Sequence, residues 1–135
     1  MNNITYRLDI KPTLDEAINL YSHCSLGARR PITDRPRFQA MLENANIITA
    51  WDKHKLVAIA RYLTDFVFTT YLADLAVDDD YQKQGIGKQL IKELQKNTDP
   101  NCRIVLLAAP QAVDYYPHIG FQAHLSAWTI LEPLK

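Results

Sequence analysis

Glycine is scarce in this sequence: four residues of 135, at positions 27, 85, 87 and 120. A chain so sparing with glycine is expected to place it where a side chain would obstruct something, and two of the four stand two residues apart. Cysteine is scarcer still. Cys24 and Cys102 are far apart and form no CxxC pair, which argues against a zinc knuckle or a disulfide framework. As free thiols they suit a reducing compartment, so a cytoplasmic protein is expected. Charge of one sign is missing too: 15 Lys plus Arg balance 15 Asp plus Glu. That balance argues against a general nucleic-acid or membrane-surface binder, so any basic site must be local. The first residues contain no apolar signal-like run, and nowhere do eighteen apolar residues follow one another. Neither secretion nor membrane spanning is expected.

What is present fits one α/β domain over residues 1–135, long enough to bury a core without a structural metal. Ile4 to Ile10 alternates apolar and polar residues as a half-buried strand does. Thr13 then reads as the N-cap of a helix, with Glu16 completing a capping box. A loop-like stretch from Ser22 to Pro36 precedes a second helix to about Asn44. Asn46 to Trp51 and Lys55 to Leu63 read as an antiparallel hairpin. Phe66 to Val77 should end in a central strand covered on both faces, with Asp74 as its exception. Gly85 to Asn97 is the clearest helix, burying Ile86, Leu90, Ile91 and Leu94. A buried strand at Arg103–Ala108, a short helix at Pro110–Tyr116 and a terminal hairpin (Phe121–Ala123 with Ala127–Leu131) complete the pattern. The predicted fold is a mixed sheet flanked by about four helices.

Leu75-Ala76-Val77 leads through a polar turn into Gln82-Lys83-Gln84-Gly85-Ile86-Gly87-Lys88 and the start of that helix. A helix N-terminus offers unpaired N–H groups and the positive end of the dipole, and glycines let an anion approach the backbone. Four lysines, 83, 88, 92 and 96, stand against Glu93 in this stretch. A polyanion is the expected occupant. It is not held by a Walker loop, because Gln89 follows Lys88 where Ser or Thr is required. A dinucleotide fingerprint fits poorly as well, since Leu90 stands where a third glycine belongs.

Gln82-x-x-Gly85-x-Gly87 after a Leu-Ala-Val strand end, followed about thirty residues later by Tyr115-Tyr116 and Gly120-Phe121, resembles the two motifs of the GNAT superfamily of N-acetyltransferases. The element order agrees over essentially the whole chain. The resemblance implies an acetyl-CoA-dependent enzyme with a sheet splayed between strands 4 and 5. The backbone of Gln82, Lys83, Gln84, Gly85, Ile86, Gly87 and Lys88 would hold the CoA diphosphate. The main chain of Leu75, Ala76 and Val77 would pair with the pantetheine arm. Ala109 departs from the family pattern, standing where many members carry an Asn that holds this arm.

Direct transfer to a primary amine needs a deprotonated amine, a donor for the oxyanion and an acid for the leaving thiolate. The resemblance gives the acid's place to Tyr116. Strict alternation puts Tyr71, Ala73, Leu75 and Val77 on one face of the fourth strand, and the resemblance places the substrate on the Tyr71 and Ala73 side. Asp74 would then point away and bond a backbone or hydroxyl partner. A bulge would reverse its direction. Asp74 as general base is the less favoured reading, Asp65 and His118 are weaker candidates still, and a water chain to solvent would suffice. No metal is expected at Asp78-Asp79-Asp80. Arg29, Arg30 and Arg35 fall in the loop over which family members often bind the acceptor, and read equally as solubilising charges. The acceptor itself is open, and so is a homodimer through the Ser126–Leu131 segment. A non-catalytic acyl-CoA-binding sensor or interaction module is the alternative function.

Overall fold

Four consecutive antiparallel or hairpin-connected strands and one parallel strand form a single sheet in the order β1-β2-β3-β4-β5. The computed structural model describes residues 3–134. The strands are β1 (Ile4–Arg7), β2 (Asn46–Asp52), β3 (Lys55–Thr64), β4 (Thr69–Val77) and β5 (Arg103–Val105), and only β4 and β5 run parallel. The helices are α1 (Leu14–Ser22), α2 (Arg35–Glu43), α3 (Ile86–Lys96) and the single turn α4 (Tyr115–His118).

Local chemistry explains the boundaries. The Thr13 hydroxyl accepts the Glu16 N–H while the Glu16 carboxylate accepts the Thr13 N–H, the expected capping box at the start of α1. Asp34 caps α2 and Pro36 occupies its first turn. The two-residue turn between β2 and β3 uses Lys53 at φ 56°. Asp65 shapes the turn from β3 to β4 by accepting the N–H groups of Val67, Phe68 and Thr69 through one carboxylate oxygen.

Each face of the sheet buries its own cluster. On one face Leu90, Ile91 and Leu94 of α3 pack on Ile48, Ala50, Ala58, Ala60, Tyr62 and Leu72. On the other, Ala17, Leu20 and Tyr21 of α1 with Phe38 and Leu42 of α2 pack on Ile47, Ile59 and Ala76.

Several expectations need correction. β1 ends at Arg7, and Leu8 and Ile10 are exposed. β4 is buried only at alternate positions and begins at Thr69, because the residues before it make the Asp65 turn. β5 is a three-residue edge strand, not a buried strand reaching Ala108, since no further strand covers it among the described residues. The helix expected over 110–116 divides into a 3-10 turn at Pro110–Ala112 and α4, which starts at Tyr115. Residues 121–131 form no hairpin. Trp128 and Leu131 are 90% and 100% exposed, so the apolar residues of that segment have no neighbouring strand to bury them.

Candidate active site

The sheet opens where β4 outruns β5. Their pairing covers only Thr69 to Tyr71 against Arg103 to Val105. From Leu72 to Val77, β4 is paired with β3 on one side and has no strand on the other. This is the splay expected between strands 4 and 5, and it leaves main-chain groups beside Leu75, Ala76 and Val77 free to meet an amide-bearing chain.

A bulge at Ala73 sets which side chains face which way. Arg61 pairs with Asp74 and Tyr62 with Leu72, so Ala73 is the extra residue. Leu72, Leu75 and Val77 consequently all join the α3 side, while Asp74 and Ala76 face α1. Unbroken alternation from Leu72 places Tyr71 on the Asp74 face. The strict alternation expected across the strand is thereby overturned, and Tyr71 shares a face with Asp74 instead of opposing it.

Asp74 is 2% exposed and fully bonded. Its Oδ2 accepts the Tyr21 hydroxyl at 2.7 Å and Arg61 Nε at 2.6 Å, and its Oδ1 accepts Arg30 Nε at 2.7 Å. Arg30 also donates to the carbonyl of the bulge residue Ala73 at 3.2 Å, tying the α1–α2 connection to β4. Burial alone would raise the Asp74 pKa, but the hydrogen bond and charge of Arg61, the charge of Arg30 and the Tyr21 hydroxyl outweigh it and hold the carboxyl below its ordinary value. A carboxylate so engaged is a structural anchor and a poor proton acceptor. Its folded-state pKa is depressed, so its contribution to stability is present above the unfolded value near pH 4 and is lost as pH falls through the folded value. Asp74→Ala leaves two guanidinium groups without their partner. It is expected to cost about 3 to 5 kcal/mol in urea denaturation at pH 7, with a smaller penalty at pH 3.

The turn after β4 leaves a row of backbone donors open. Gln82 is extended (φ −70°, ψ 162°) and Lys83 turns the chain in the left-handed region at φ 63°. Gly85 then caps α3 in the left-handed region at φ 79°, where a side chain would be strained. No side chain among the described residues caps α3. The N–H groups of Gly85, Ile86, Gly87 and Lys88 have no protein partner among the described residues, the first helical acceptor being Gly85, bonded by Gln89. Gly87 is a close-approach position: a Cβ there would lie 3.0 Å from Tyr115 Oη and 3.4 Å from Leu75 Cδ2. Lys96 pairs with Glu93, while Lys83, Lys88 and Lys92 have no ion-pair partner among the described residues. The Gln82 side chain turns back to the Val77 carbonyl and Asp79. A groove of about 410 Å³ adjoins α3, with Lys88, Lys92 and Arg103 among its lining residues.

Tyr116 stands on the α3 side, edge-on to Tyr115 at 5.2 Å and to Phe121 at 5.4 Å between ring centroids. Burial pushes its phenol up to about 12, with Tyr115 and Asp74 acting in the same direction. The group therefore holds its proton throughout the neutral range, as an acid must.

The family model for an acetyltransferase (GNAT) domain matches residues 29–129. The chain belongs to the GNAT acetyltransferase family. It is 29% identical over 123 residues to the probable acetyltransferase TAP2 of Glycine max, covering 80% of this chain and 48% of that protein. The chain spans about a quarter to a half of the length of TAP2 and two further curated plant relatives. A probable acetyltransferase of Meticillin-resistant Staphylococcus aureus shares the fold at TM-score 0.75 and 22% identity, covering 96% of this chain and 99% of that one. The PaiA N-acetyltransferase of Thermoplasma acidophilum, whose structure contains coenzyme A, does so at TM-score 0.70 and 14% identity, over 93% of each chain.

As a GNAT domain, the chain brings the glycine turn and the open β4 edge to one end of the sheet. Asp65 is committed to its turn, and His118 is exposed on α4. Asp78 is buried rather than solvated, accepting the Asp80 N–H with Lys55 nearby, and the described residues contain no metal-ligating cluster. Sequence reasoning missed Tyr21 and Arg61 altogether and left Arg30 undecided. The available signal was Arg61 and Asp74, single charges in two apolar runs that a hairpin brings opposite each other.

Proposed function

We propose that this GNAT domain transfers an acetyl group from acetyl-CoA directly to a primary amine. The observation that carries the reading is the row of N–H groups at Gly85 to Lys88 that have no partner among the described residues, set at the end of a strand edge those residues leave unpaired. A diphosphate there would gain the helix dipole, the backbone donors and the charges of Lys83 and Lys88. The pantetheine arm would continue along Val77, Ala76 and Leu75 towards the Ala73 bulge. Gln82 and Gln84 act through their backbone in this reading, and the side chain of Gln82 serves to hold the turn. Ala109 supplies no side-chain amide, so the arm relies on the β4 backbone.

Acetyl-CoA supplies the thioester; the chain's residues orient it and manage protons. The amine attacks the carbonyl carbon, the tetrahedral oxyanion is met by main-chain N–H near the bulge, and Tyr116 gives its proton to the departing thiolate. At pH 7, freeing a lysine-like amine of its proton costs about 4 to 5 kcal/mol. With Asp74 held by Tyr21, Arg30 and Arg61 and Asp65 engaged in its turn, water carries that proton out in this reading.

The test is free thiol release from acetyl-CoA across a panel of amines, with CoA affinity measured in parallel by calorimetry. Acceptor-dependent release together with CoA binding is expected. CoA binding without release for any amine would favour a non-catalytic acyl-CoA-binding module. Absence of CoA binding would remove both readings.

A further inference from the structure

We infer that the amine acceptor carries a carboxylate and that Arg61 is the residue that recognises it. The inference rests on the acetyltransferase reading above and names the class of its second substrate.

The buried cluster beneath α1 is unbalanced. Two guanidinium groups, Arg30 and Arg61, share the single carboxylate of Asp74. Tyr21 contributes no compensating charge, because burial and the Asp74 carboxylate hold its phenol well above its ordinary pKa. One positive charge is left in excess in this cluster.

The two arginines differ in what they have left to give. Arg30 is used up: Nε and Nη2 on Asp74, Nη2 also on the Ala73 carbonyl, Nη1 on the Arg29 carbonyl. Arg61 commits only Nε to Asp74. The Tyr21 hydroxyl lies beside its guanidinium but gives its own proton to Asp74. Nη1 and Nη2 of Arg61 make no hydrogen bond of ordinary geometry among the described residues, although its side chain is only 12% exposed. No buried side-chain nitrogen or oxygen among the described residues lacks a partner, so these two nitrogens are the solvent-reachable fork at the end of the side chain, open to an incoming acceptor. The fork matches a carboxylate with two parallel N–H···O bonds, and a monoanion cancels the single excess charge.

The position suits an acceptor. Arg61 pairs with Asp74, directly beside the Ala73 bulge on the strand that opens away from β5. Along the same face beyond Arg61 and Asp74 lie Leu63, which is 46% exposed, and half-buried Tyr71. They offer an apolar floor for the rest of a small amino acid. The same excess charge disfavours a second ammonium group: at about 5 Å and an effective dielectric constant near 20, the discrimination is about 100-fold or more.

The test uses amines that differ only by the carboxylate, phenylalanine against phenethylamine and lysine against cadaverine, at saturating acetyl-CoA. The acetylated members of the first pair are also titrated into the CoA-loaded protein, which reads binding without turnover. The carboxylated member is expected to show a KM or Kd at least about 10-fold lower, with little difference in kcat. Arg61→Gln should abolish that difference, Arg61→Lys should retain part of it, and CoA affinity should stay unchanged in both. Because Arg61→Gln also removes a partner of Asp74, the double variant Arg61→Gln/Asp74→Asn is measured alongside, with thermal unfolding to show that it is folded. It should likewise fail to discriminate. Equal values for the two members of a pair in the unmodified protein, or discrimination that survives Arg61→Gln, would overturn the inference while leaving the acetyltransferase reading in place. Loss of CoA binding in the unmodified protein would overturn both.

Discussion

Gly87→Asp is expected to reduce CoA affinity about 100-fold or more. A side chain here starts against Tyr115 and Leu75, and it brings a negative charge within one turn of the N–H groups of Gly85 to Lys88, which have no protein partner among the described residues and are proposed to face the diphosphate. One like-charge pair at about 5 Å with an effective dielectric constant near 20 is worth about 3 kcal/mol. Gly87→Ala provides the control. Gly87 has no positive φ, so alanine fits the backbone, and its Cβ meets the end of the Tyr115 side chain at 3.0 Å. Alanine in a helix is also favoured over glycine by about 1 kcal/mol. Thermal stability should therefore hold or rise in Gly87→Ala while CoA affinity falls by roughly tenfold, a reach set by the shift asked of one tyrosine. Calorimetric titration with CoA, next to thermal unfolding of both variants, checks the pair. Affinity unchanged in Gly87→Asp would show that the diphosphate lies elsewhere.

Tyr116→Phe is expected to lower kcat by about 10²-fold to 10⁴-fold, the range for loss of a general acid, with CoA affinity nearly unchanged. The ring stays in place between Tyr115 and Phe121, so packing is preserved and only the hydroxyl is lost. The pH dependence follows from burial, which pushes this phenol up to about 12. Since the acid form persists well above neutrality, the rate of the unmodified protein should rise with pH as more amine is deprotonated, with no alkaline decline attributable to Tyr116 below about pH 10. A decline centred near pH 8 would assign the acid to another group. Equal kcat for the two proteins would make Tyr116 an aromatic packing residue alone.

Where the pattern of side chains has a local cause, the sequence was a sufficient guide. The Thr13 and Glu16 capping box, the Ile86, Leu90, Ile91 and Leu94 stripe of α3, and the glycines at 85 and 87 all stand where their chemistry placed them. Each depends on neighbours within a few residues. The Ala73 bulge had no such mark, because Thr70, Leu72, Asp74 and Ala76 are all buried and keep an unbroken rhythm through it. Only the packing partners, α3 for Leu72 and α1 for Asp74, reveal that the face has changed. The Tyr21, Arg30, Arg61 and Asp74 cluster is assembled from α1, the α1–α2 connection, β3 and β4, with Tyr21 and Asp74 53 positions apart. No local periodicity encodes such a meeting.

The C-terminal residues illustrate the opposite error. Ala127 to Leu131 have strand-like composition, but composition reports what a segment could pair with and not whether a partner is there. Among the described residues β5 takes no neighbour beyond β4, and Trp128 and Leu131 remain in solvent.

The central claim is that a diphosphate rests on the bare backbone donors at the start of α3, with the arm of the coenzyme running along the open edge of β4. A crystal structure of the protein soaked with CoA tests it most directly. The diphosphate should contact the N–H groups of Gly85 to Lys88, and the thiol should lie within hydrogen-bonding reach of Tyr116 Oη. Coenzyme bound at any other corner, or Tyr115 still covering Gly87 with that turn vacant, would contradict it.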